Sequence, residues 1–451
     1  MKKLFKILIL TICIMIVSVP VFASNADVLT SDYGFGLYDP TIANGIDTDA
    51  IQVQLNGEFI DFTDENGQIV EPQIINNRTM VPMRKIFEAF GANVEWINET
   101  RSIKATTDAL EIGLQIGNDK ATLKNLSGDE TEITLDSVPT VVNGRTLVPV
   151  RFIAESLDKK VDWDKENRTV VVIDPTIVRK KIEERASNLF EYLTTTIENI
   201  TSSESTIKIS GKVNYQDKDD RSNNTSLNIT GNADIKTNED MISVDLTLVA
   251  TGKGLLKDKI NEVGLNKLNV EFVIDLRNFV VYANLPEELV GKIYANKWIK
   301  YELTEENIQS LKETLALKGN RNGVDTLESA IIPETLNVAS YDLIDTTSDM
   351  ICAMFSNDYF TVSGRRTKKY EYDISLEDIL PILGKTEEID DSYSFRIKSS
   401  VSVSDGIAKE SSFNITLGVE QGDEVLDIEI DAEATLDRYN REVKIEIPVV
   451  D

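Results

Sequence analysis

Carboxylates are the side chains best placed to do chemistry in this chain, because 76 Asp and Glu residues stand against 47 Lys and Arg residues. Some of these carboxylates form two clusters along the sequence: Asp217, Asp219 and Asp220, then Glu387, Glu388, Asp390 and Asp391. Paired carboxylates can act as acid and base in glycoside hydrolysis. Neither cluster has the spacing of a calcium loop. We interpret both as solvated turn charges, with weak calcium binding as the minor alternative.

Histidine does not occur in the sequence. Its absence excludes Ser-His-Asp and Cys-His catalysis, and also zinc sites that are built on histidine. We therefore predict a protein that is not an enzyme, with no catalytic, cofactor-binding or metal-binding residues and no cofactor. A hydrolase that works through carboxylates is the alternative.

The chain has two cysteines, Cys13 and Cys352. Cys13 lies in an apolar N-terminal run, and Ile12 precedes it where a lipoprotein signal would have a small residue. Cys352 has the apolar neighbours Ile351 and Ala353. A single cysteine beyond the N-terminal run cannot close a disulfide within the chain, so we predict that Cys352 is a buried thiol.

One segment is repeated without a gap, since Ile75 to Ile103 returns as Val142 to Val170. Each copy has an Arg and a Glu one helical turn apart: Arg84 with Glu88, and Arg151 with Glu155. Side chains at this spacing are neighbours on a helix surface. We interpret each pair as an ion pair that fixes the geometry of its copy. A pair of ligand-contacting arginines is the alternative.

Turn and helix signals predict the elements of each copy. Asn76-Asn77 and Asn143-Gly144 predict tight turns, because Asn and Gly accept a positive φ. A short strand follows, then a Pro at the first helical position and an apolar helix stripe of about two turns. A hairpin with a tryptophan comes next. We interpret those tryptophans, Trp96 and Trp163, as core anchors rather than sugar-stacking platforms.

The second copy reads Asn-Gly-Arg-Thr-Leu-Val-Pro-Val-Arg from Asn143 to Arg151, with Glu155 one helical turn on and Trp163 after a short strand. This pattern resembles the copper amine oxidase N-terminal-like domain of secreted Gram-positive bacterial proteins. The first copy departs from the pattern only at Asn77, where the pattern has Gly. The resemblance covers roughly residues 50–174, and it implies an appended module rather than an oxidase centre.

Copper oxidase chemistry, which the resemblance brings to mind, needs histidine ligands and a tyrosine that becomes the quinone cofactor. The sequence has no imidazole to bind copper. Asn214-Tyr215 comes near the tyrosine signature, but Gln216 stands where that signature has Asp or Glu. We therefore interpret Tyr215 as an ordinary strand aromatic.

The first 23 residues have the pattern of a secretory signal. Lys2 and Lys3 precede an apolar run from Ile7 to Val19, and small residues permit cleavage after Ala23. An uncleaved anchor is disfavoured, because this run is short for a membrane span. Residues 24–49 are predicted to be a linker. The formal charge of −29 disfavours nucleic acid and anionic lipid surfaces as partners.

Beyond Pro175 the sequence pattern changes. Apolar residues from Ile177 to Ile200 predict one amphipathic helix of about seven turns. Strict alternation then predicts strands of a large antiparallel sheet with one apolar face and one wet face. The predicted strands centre on residues 207–215, 227–235, 242–248, 395–403, 413–419, 426–436 and 443–447.

A sheet of this size is expected to curl around something apolar rather than to stay flat. Helices predicted at Leu303–Leu317, at Leu336–Phe355 and after Ser375 are the candidates to fill it. A further strand is predicted at Tyr294–Tyr301, where Trp298 would either pack inside or line the mouth. From Pro175 to Asp451 the pattern resembles the half-barrels of bacterial lipoprotein and lipid carriers.

We predict an α+β protein, with a signal peptide at 1–23 and a linker at 24–49. A small duplicated strand–helix–hairpin domain occupies 50–174, and a larger curved antiparallel β domain with helices occupies 175–451. We expect a secreted or cell-surface binding protein without a transmembrane domain after cleavage. Its partner would be a cell-envelope component or an apolar ligand. A purely structural envelope protein is the alternative, besides the hydrolase.

Overall fold

A computed structural model describes residues 50–64, 66–195, 200–262, 266–305, 308, 323–384 and 392–450, and within them the chain is mostly β-sheet with few helices. The chain divides into two compact units. The small unit takes Asp32–Lys181, described from residue 50 onward, and Glu328–Asp349. The described part of the sheet unit lies in Ile182–Leu327 and Met350–Asp451. The predicted signal peptide and linker lie outside the described residues.

The small unit contains short strands in several sheets. In chain order they are β1 Gln52–Leu55, β2 Glu58–Phe59, β3 Gln73–Ile75, β4 Arg78–Pro82, β5 Asn93–Ile97, β6 Ser102–Thr106, β7 Leu110–Gln115, β8 Lys120–Asn125, β9 Glu130–Thr134, β10 Thr140–Val142, β11 Arg145–Pro149, β12 Lys160–Asp164 and β13 Thr169–Ile173. The described sheets have the orders β12-β13-β1-β2, β10-β11-β4-β3 and β5-β6-β7-β8-β9. Strand β1 runs parallel to β13, so the start of the unit closes on its end.

Two strands at equivalent places in the repeat join the copies. Val148 of β11 faces Val81 of β4, and these residues are equivalent in the two copies. Leu147 and Pro149 then face Pro82 and Met80, so the pairing is symmetric about its centre. The turns before both strands have positive φ as predicted, 52° and 60° at Asn76-Asn77, 51° and 74° at Asn143-Gly144.

Each of these strands leads into a seven-residue helix, α1 Met83–Ala89 and α2 Val150–Ser156. The prediction placed a proline at the first helical position, and this was wrong. Pro82 and Pro149 are the N-cap residues, with ψ of 115° and 117°. Their pairing across β4 and β11 keeps them extended, so each helix begins one residue later.

The predicted seven-turn helix after Pro175 was also wrong. The chain forms α3 Thr176–Arg185 and α4 Ser187–Thr194, and between them Ala186 leaves the helical region with φ −138° and ψ 56°. Asn188, in the first turn of α4, bonds to a distant segment. Its N–H donates to Asn357 Oδ1 at 3.1 Å, and its side-chain amide donates to the Phe360 carbonyl at 2.8 Å. These non-local bonds supply a helix start that the apolar periodicity does not show.

The sheet unit is built on an eleven-stranded antiparallel sheet with the order β19-β18-β17-β16-β15-β14-β24-β23-β22-β21-β20. Its strands are β14 Ser203–Asp217, β15 Thr225–Thr237, β16 Met241–Lys253, β17 Leu268–Asp275, β18 Val280–Asn284, β19 Trp298–Glu302, β20 Phe360–Ser363, β21 Thr367–Ser375, β22 Tyr393–Ser404, β23 Ile407–Gln421 and β24 Glu424–Tyr439. Strands far apart in sequence, β14 and β24, pair at its centre.

Two strand predictions need correction. Residues 443–447 form no strand. The Val443 carbonyl instead accepts a bond from the Asn238 side chain at 3.1 Å. The strand predicted at Tyr294–Tyr301 is confined to β19, because residues 292–297 form a turn.

The remaining described helices are α5 Leu256–Glu262, α6 Glu287–Val290, α7 Gly323–Ile331, α8 Ser340–Met354 and α9 Leu376–Ile382. Helix α9 starts as predicted, because Ser375 and Asp378 form a capping box. Most of the helix predicted at Leu303–Leu317 lies outside the described residues.

The helix predicted from Leu336 begins only at Ser340. Two hydrogen bonds anchor the preceding residues: the Leu336 N–H donates to Asp162 at 3.2 Å, and the Val338 N–H donates to Asp164 at 3.1 Å. Glu328–Asp349 therefore belongs to the small unit. This corrects the expectation that the whole of this helix fills the sheet.

Candidate functional site

The repeated Arg and Glu residues were predicted to form ion pairs, and this was wrong. Arg84 and Glu88, like Arg151 and Glu155, are exposed, and no ion pair joins either couple in the described part of the chain. Exposed charges gain little from pairing because water and salt screen them.

The other repeated arginines hold the copies together instead. Arg78 bonds to Asp136, which precedes the second copy, and Arg145 bonds to Asp64, which precedes the first. Hydrogen bonds from the Gln68 backbone and from Arg145 lower the pKa of Asp64. The repeat therefore does contain arginines that make structural contacts, but these are Arg78 and Arg145 instead of Arg84 and Arg151.

The two tryptophans differ in their surroundings. Trp163 packs against the core of the small unit, as the core-anchor interpretation predicts. Trp96 is 36% exposed, so that interpretation was wrong for the first copy. Both tryptophans lie on edge strands, but Leu336 and Val338 bond to Asp162 and Asp164 of β12, beside Trp163.

The carboxylates of the first acidic cluster shape a turn. Asp217 accepts bonds from the N–H groups of Asp219 and Asp220 at 3.0 and 2.8 Å. It also accepts from the Asn223 side chain at 2.9 Å, the main cause of the lowered pKa of Asp217. Across the described residues no group of three or more acidic or cysteine side chains could hold a metal ion. The second cluster, residues 387–391, lies outside the described part.

Tyr215 and Cys352 lie in regular secondary structure. Tyr215 is half-buried in β14, opposite Thr225 and Leu426. Burial and a hydrogen bond to Glu424 raise the pKa of Tyr215. Cys352 is a buried thiol in α8, as predicted.

One face of the eleven-stranded sheet carries aligned rows of apolar residues. One row crosses seven strands as Ile374, Ile397, Ile415, Ile430, Gly211, Ile229 and Ala250. The next row is Phe395, Leu417, Ile428, Val213 and Leu227, and a third is Tyr393, Val419, Leu426 and Tyr215. Directly opposed residues in a sheet lie on the same face, so the rows form one apolar surface.

The apolar surface is covered on one side and open on the other. On β15 to β17 it is buried: Ala233 is 0% exposed and Leu268 is 1% exposed. On β22 to β24 the same surface is accessible, with Tyr393 51%, Phe413 36% and Ile430 42% exposed. Sequence alternation places these residues on one face but does not show which of them are covered.

We define the open face by the apolar residues that β22, β23 and β24 contribute. They are Tyr393, Phe395, Ile397, Phe413, Ile415, Leu417, Val419, Leu426, Ile428 and Ile430. Ala432 and Ala434 follow Ile430 on the same face of β24, and Gly211 of β14 lies opposite Ile430. An exposed apolar surface of this extent is typical of a binding site.

The opposite face of the same strands is polar. Arg396 bonds to Asp373 at 2.6 Å, and Lys212 pairs with Glu429 at 3.1 Å. The Arg396 side chain is the main cause of the lowered pKa of Asp373. The two faces of β22 to β24 therefore differ sharply in chemistry.

An aromatic cluster borders the open face at β20 and β21. Tyr192 lies 5.0 Å from Tyr370, and Phe355 stacks on Tyr372 with ring centroids 4.8 Å apart. Burial raises the pKa of Tyr192 and of Tyr372 to about 12 each, so both rings stay neutral. This border is packed, and no spacing in the sequence predicts it, because the rings come from α4, from β21 and from the residue after α8.

No helix in the described part of the chain has the length and apolar character needed to cross a membrane.

A solved structure entitled "Lipid-protein interactions in lipovitellin" shares 6% sequence identity with this chain, with a TM-score of 0.23. The match covers 56% of this chain and 27% of that one. A likeness at this TM-score carries no argument about the fold.

Two comparisons concern the sequence itself. A curated protein of Brevibacillus choshinensis, named "Protease inhibitor", is 28% identical over 144 residues, covering 29% of this chain and 43% of that protein. Less than half of that relative is therefore matched. Residues 55–172 match the family model of the copper amine oxidase N-terminal domain. The absence of histidine leaves this chain without imidazole ligands for copper. This part of the chain is similar to the copper amine oxidase N-terminal domain.

Proposed function

We propose that this chain is a secreted or cell-surface binding protein without catalytic activity, in which the eleven-stranded sheet receives an apolar ligand on its open face. The small domain serves as an attachment module for a cell-envelope component. The relative named as a protease inhibitor supports a binding role, since an inhibitor acts by binding. The signal-like first 23 residues support export.

We further propose a specific architecture for each of the two parts of the fold. Residues 50–174 act as a duplicated strand–helix–hairpin module, supported by the symmetric pairing about Val81 and Val148. The eleven-stranded sheet acts as a half-barrel that curls around its apolar surface. An open antiparallel sheet of this width is expected to curl.

The observation that carries the proposal is the change of burial along a single row of residues. Ala250 is 7% exposed, whereas Ile430 in the same row is 42% exposed. Ten apolar residues on three adjacent strands give the open face a size of roughly 20 Å by 15 Å. Burying such a surface contributes about 25 cal/mol per Å². The open face extends along the strands, so its length fits a long hydrocarbon chain.

A fluorescent long-chain fatty acid tests this proposal in the purified protein. Ile415→Asp and Leu417→Asp each place a charge on the open face, and we expect each to weaken binding about tenfold or more. Thr416→Asp is the matched control, because Thr416 lies between them and belongs to the polar face opposite Arg396. It is expected to leave the affinity within about twofold of the wild type.

Circular dichroism and thermal unfolding of each variant show whether it folds. Equal affinity of Ile415→Asp and Thr416→Asp, with both folded, would contradict the open face as the site. Analytical ultracentrifugation provides a second reading. A wild-type dimer that Ile415→Asp converts to monomer would show that the open face joins two copies of the chain. Dimerisation would then be the role of this face instead of ligand binding.

A further inference from the structure

A basic depression lies at the end of the same apolar surface. It has a volume of about 370 Å³ and is lined by the β20–β21 hairpin, the end of α4 and the β22–β23 turn. Arg365, Arg366 and Lys368 line it, and so does Val403. Lys368 faces Val403 in the sheet, and Val403 lies on the same face as Ile397, farther along β22. The depression thus lies at one end of the sheet face that the proposed function uses.

The hairpin that carries the two arginines has a fixed shape. Gly364 has a φ of +86°, and a Cβ there would come within 2.0 Å of the Thr367 carbonyl oxygen. Only glycine fits this turn without distortion. Arg365 and Arg366 therefore sit at the tip of a tight hairpin, where both are exposed.

The carboxylate nearest to these cations is already engaged. Glu191 Oε1 accepts from Lys368 Nζ at 2.5 Å and from the Tyr370 hydroxyl at 3.2 Å. The Tyr370 hydroxyl also lies 3.0 Å from Thr195 Oγ1. No carboxylate lies within ion-pair distance of Arg365 or Arg366 in the described part of the chain. Asp405 lines the depression as well, but it makes no ion pair with them.

This local excess of positive charge is notable in a chain whose formal charge is −29. With so many carboxylates available, two adjacent arginines without an ion-pair partner among the described residues leave a binding capacity for an anion from outside. Guanidinium groups match phosphate and carboxylate oxygens with paired hydrogen bonds. The acidic surface as a whole repels an anionic bilayer, so the depression favours a single anionic molecule over a membrane surface.

We propose that the ligand is an anionic amphiphile, whose hydrocarbon chain lies on the open face and whose phosphate or carboxylate head group binds Arg365 and Arg366. This inference rests on the proposed function and adds the chemical class of the ligand to it. Val401 of β22 and Phe413 of β23 lie between the two parts of the site. From Val403 to Ile397 the strand extends about 20 Å, so one molecule with a long chain can reach both.

Two amphiphiles with the same palmitoyl chain test the head-group contact. Monopalmitoylglycerol is neutral, and palmitoyl lysophosphatidic acid adds a phosphate monoester. We expect the wild type to bind the phosphate ester about tenfold more tightly, because charge-assisted hydrogen bonds are the stronger kind. The double variant Arg365→Gln/Arg366→Gln should lose this preference and keep the affinity for the neutral compound. Arg221→Gln/Arg441→Gln, which alters two exposed arginines elsewhere in the sheet unit, should retain it.

The outcomes separate this inference from the proposed function. If the wild type binds both compounds equally, or if Arg365→Gln/Arg366→Gln keeps the preference, the inference is wrong while the apolar site stands. If neither compound binds, the proposed function itself fails. Inorganic phosphate alone distinguishes the source of the anion. Phosphate that binds as tightly as the lysophosphatidic acid would show a free oxyanion site and overturn the amphiphile.

Discussion

Asp164 shows how a single side chain fixes the geometry of the small unit. Asp164 accepts from the N–H groups of Glu166 and Asn167 and also from the Val338 N–H. It is 7% exposed, so these bonds replace water. Burial raises its pKa, but the bonds to Asn167 and Val338 outweigh this, and the pKa of Asp164 lies below its ordinary value. The sequence predicted the hairpin turn and gave no sign of the bond to Val338, which lies far along the chain.

Asp174 is the subject of the first stability prediction. Burial raises its pKa, but hydrogen bonds from Lys159 and Thr176 outweigh this and lower it below 3.8. Lys159 Nζ lies 2.6 Å from Asp174 Oδ2. We expect Asp174→Asn to reduce the free energy of unfolding by about 1–2 kcal/mol at neutral pH, because Lys159 loses its partner. Urea unfolding measures this loss.

The pH dependence of that loss has a definite sign. A carboxyl group with a lowered pKa in the folded state stabilises the fold above its ordinary pKa. This contribution disappears as the pH falls through the folded-state value. The gap between wild type and Asp174→Asn should therefore close below about pH 4. Glu130→Gln, at an exposed position in β9, is the control and should show no such gap. A gap that stays constant down to low pH would contradict the ion pair as its cause.

At the scale of elements, the strands were the most predictable part of the sheet unit. Six of the seven alternating sets form strands of the sheet, because alternation is a local property of the chain. The seventh, residues 443–447, has the pattern but forms no strand, and the Val443 carbonyl accepts a bond from the Asn238 side chain instead. The prediction of one long helix was wrong for a similar reason, since bonds from Asn188 to Asn357 and Phe360 start a new helix. Partners distant in sequence decided both cases.

A row of like charges on the polar face gives the second stability prediction. Asp234, Asp245 and Glu271 face one another across β15, β16 and β17. Burial and these two neighbours raise the pKa of Asp245. We expect Asp245→Asn to increase the free energy of unfolding by about 0.5 kcal/mol at neutral pH, because like charges opposite one another repel. Chemical unfolding at neutral pH measures the gain.

The pKa of Asp245 is shifted in the opposite direction to that of Asp174, so the charged form of Asp245 destabilises the fold. A carboxyl group with a raised folded-state pKa favours the fold most at low pH, and the benefit is lost as the pH rises through that value. The advantage of Asp245→Asn should thus shrink on acidification. Glu433→Gln is the matched control on the same face, since Glu433 lies opposite Lys208. If Glu433→Gln stabilises the protein as much as Asp245→Asn does, the repulsion argument is wrong.

At the scale of the whole molecule, net charge is the property that dominates. The formal charge of −29 produces repulsion within the folded protein. Raising sodium chloride from about 0.01 M to about 1 M shortens the screening length from about 30 Å to about 3 Å. We therefore expect the unfolding temperature to rise over this range, as measured by calorimetry.

Salts also act on proteins by routes other than screening, so the counter-ions need a comparison. Choline chloride should raise the unfolding temperature about as much as sodium chloride does at the same ionic strength. A rise with sodium sulfate alone would indicate exclusion of sulfate from the protein surface instead of screening. That result would contradict the charge argument.

The sequence by itself determined what depends on neighbouring residues and on composition. It gave the repeat with its positive-φ turns, the alternation that builds the sheet, the buried thiol and the absence of imidazole ligands. Turn chemistry and side-chain periodicity act over a few residues, so these features can be read directly from the chain. The similarity of residues 55–172 to the copper amine oxidase N-terminal domain was predicted from the same kind of local pattern.

The tertiary structure decided which of these features meet and which remain uncovered. It showed that Arg78 pairs with Asp136 and Arg145 with Asp64. It also showed that Glu328–Asp349 belongs to the small unit and that the apolar surface is open on β22 to β24. Burial and ion pairing depend on residues that are distant along the chain. A periodic pattern identifies the face of a strand, but only the packed structure shows what covers that face.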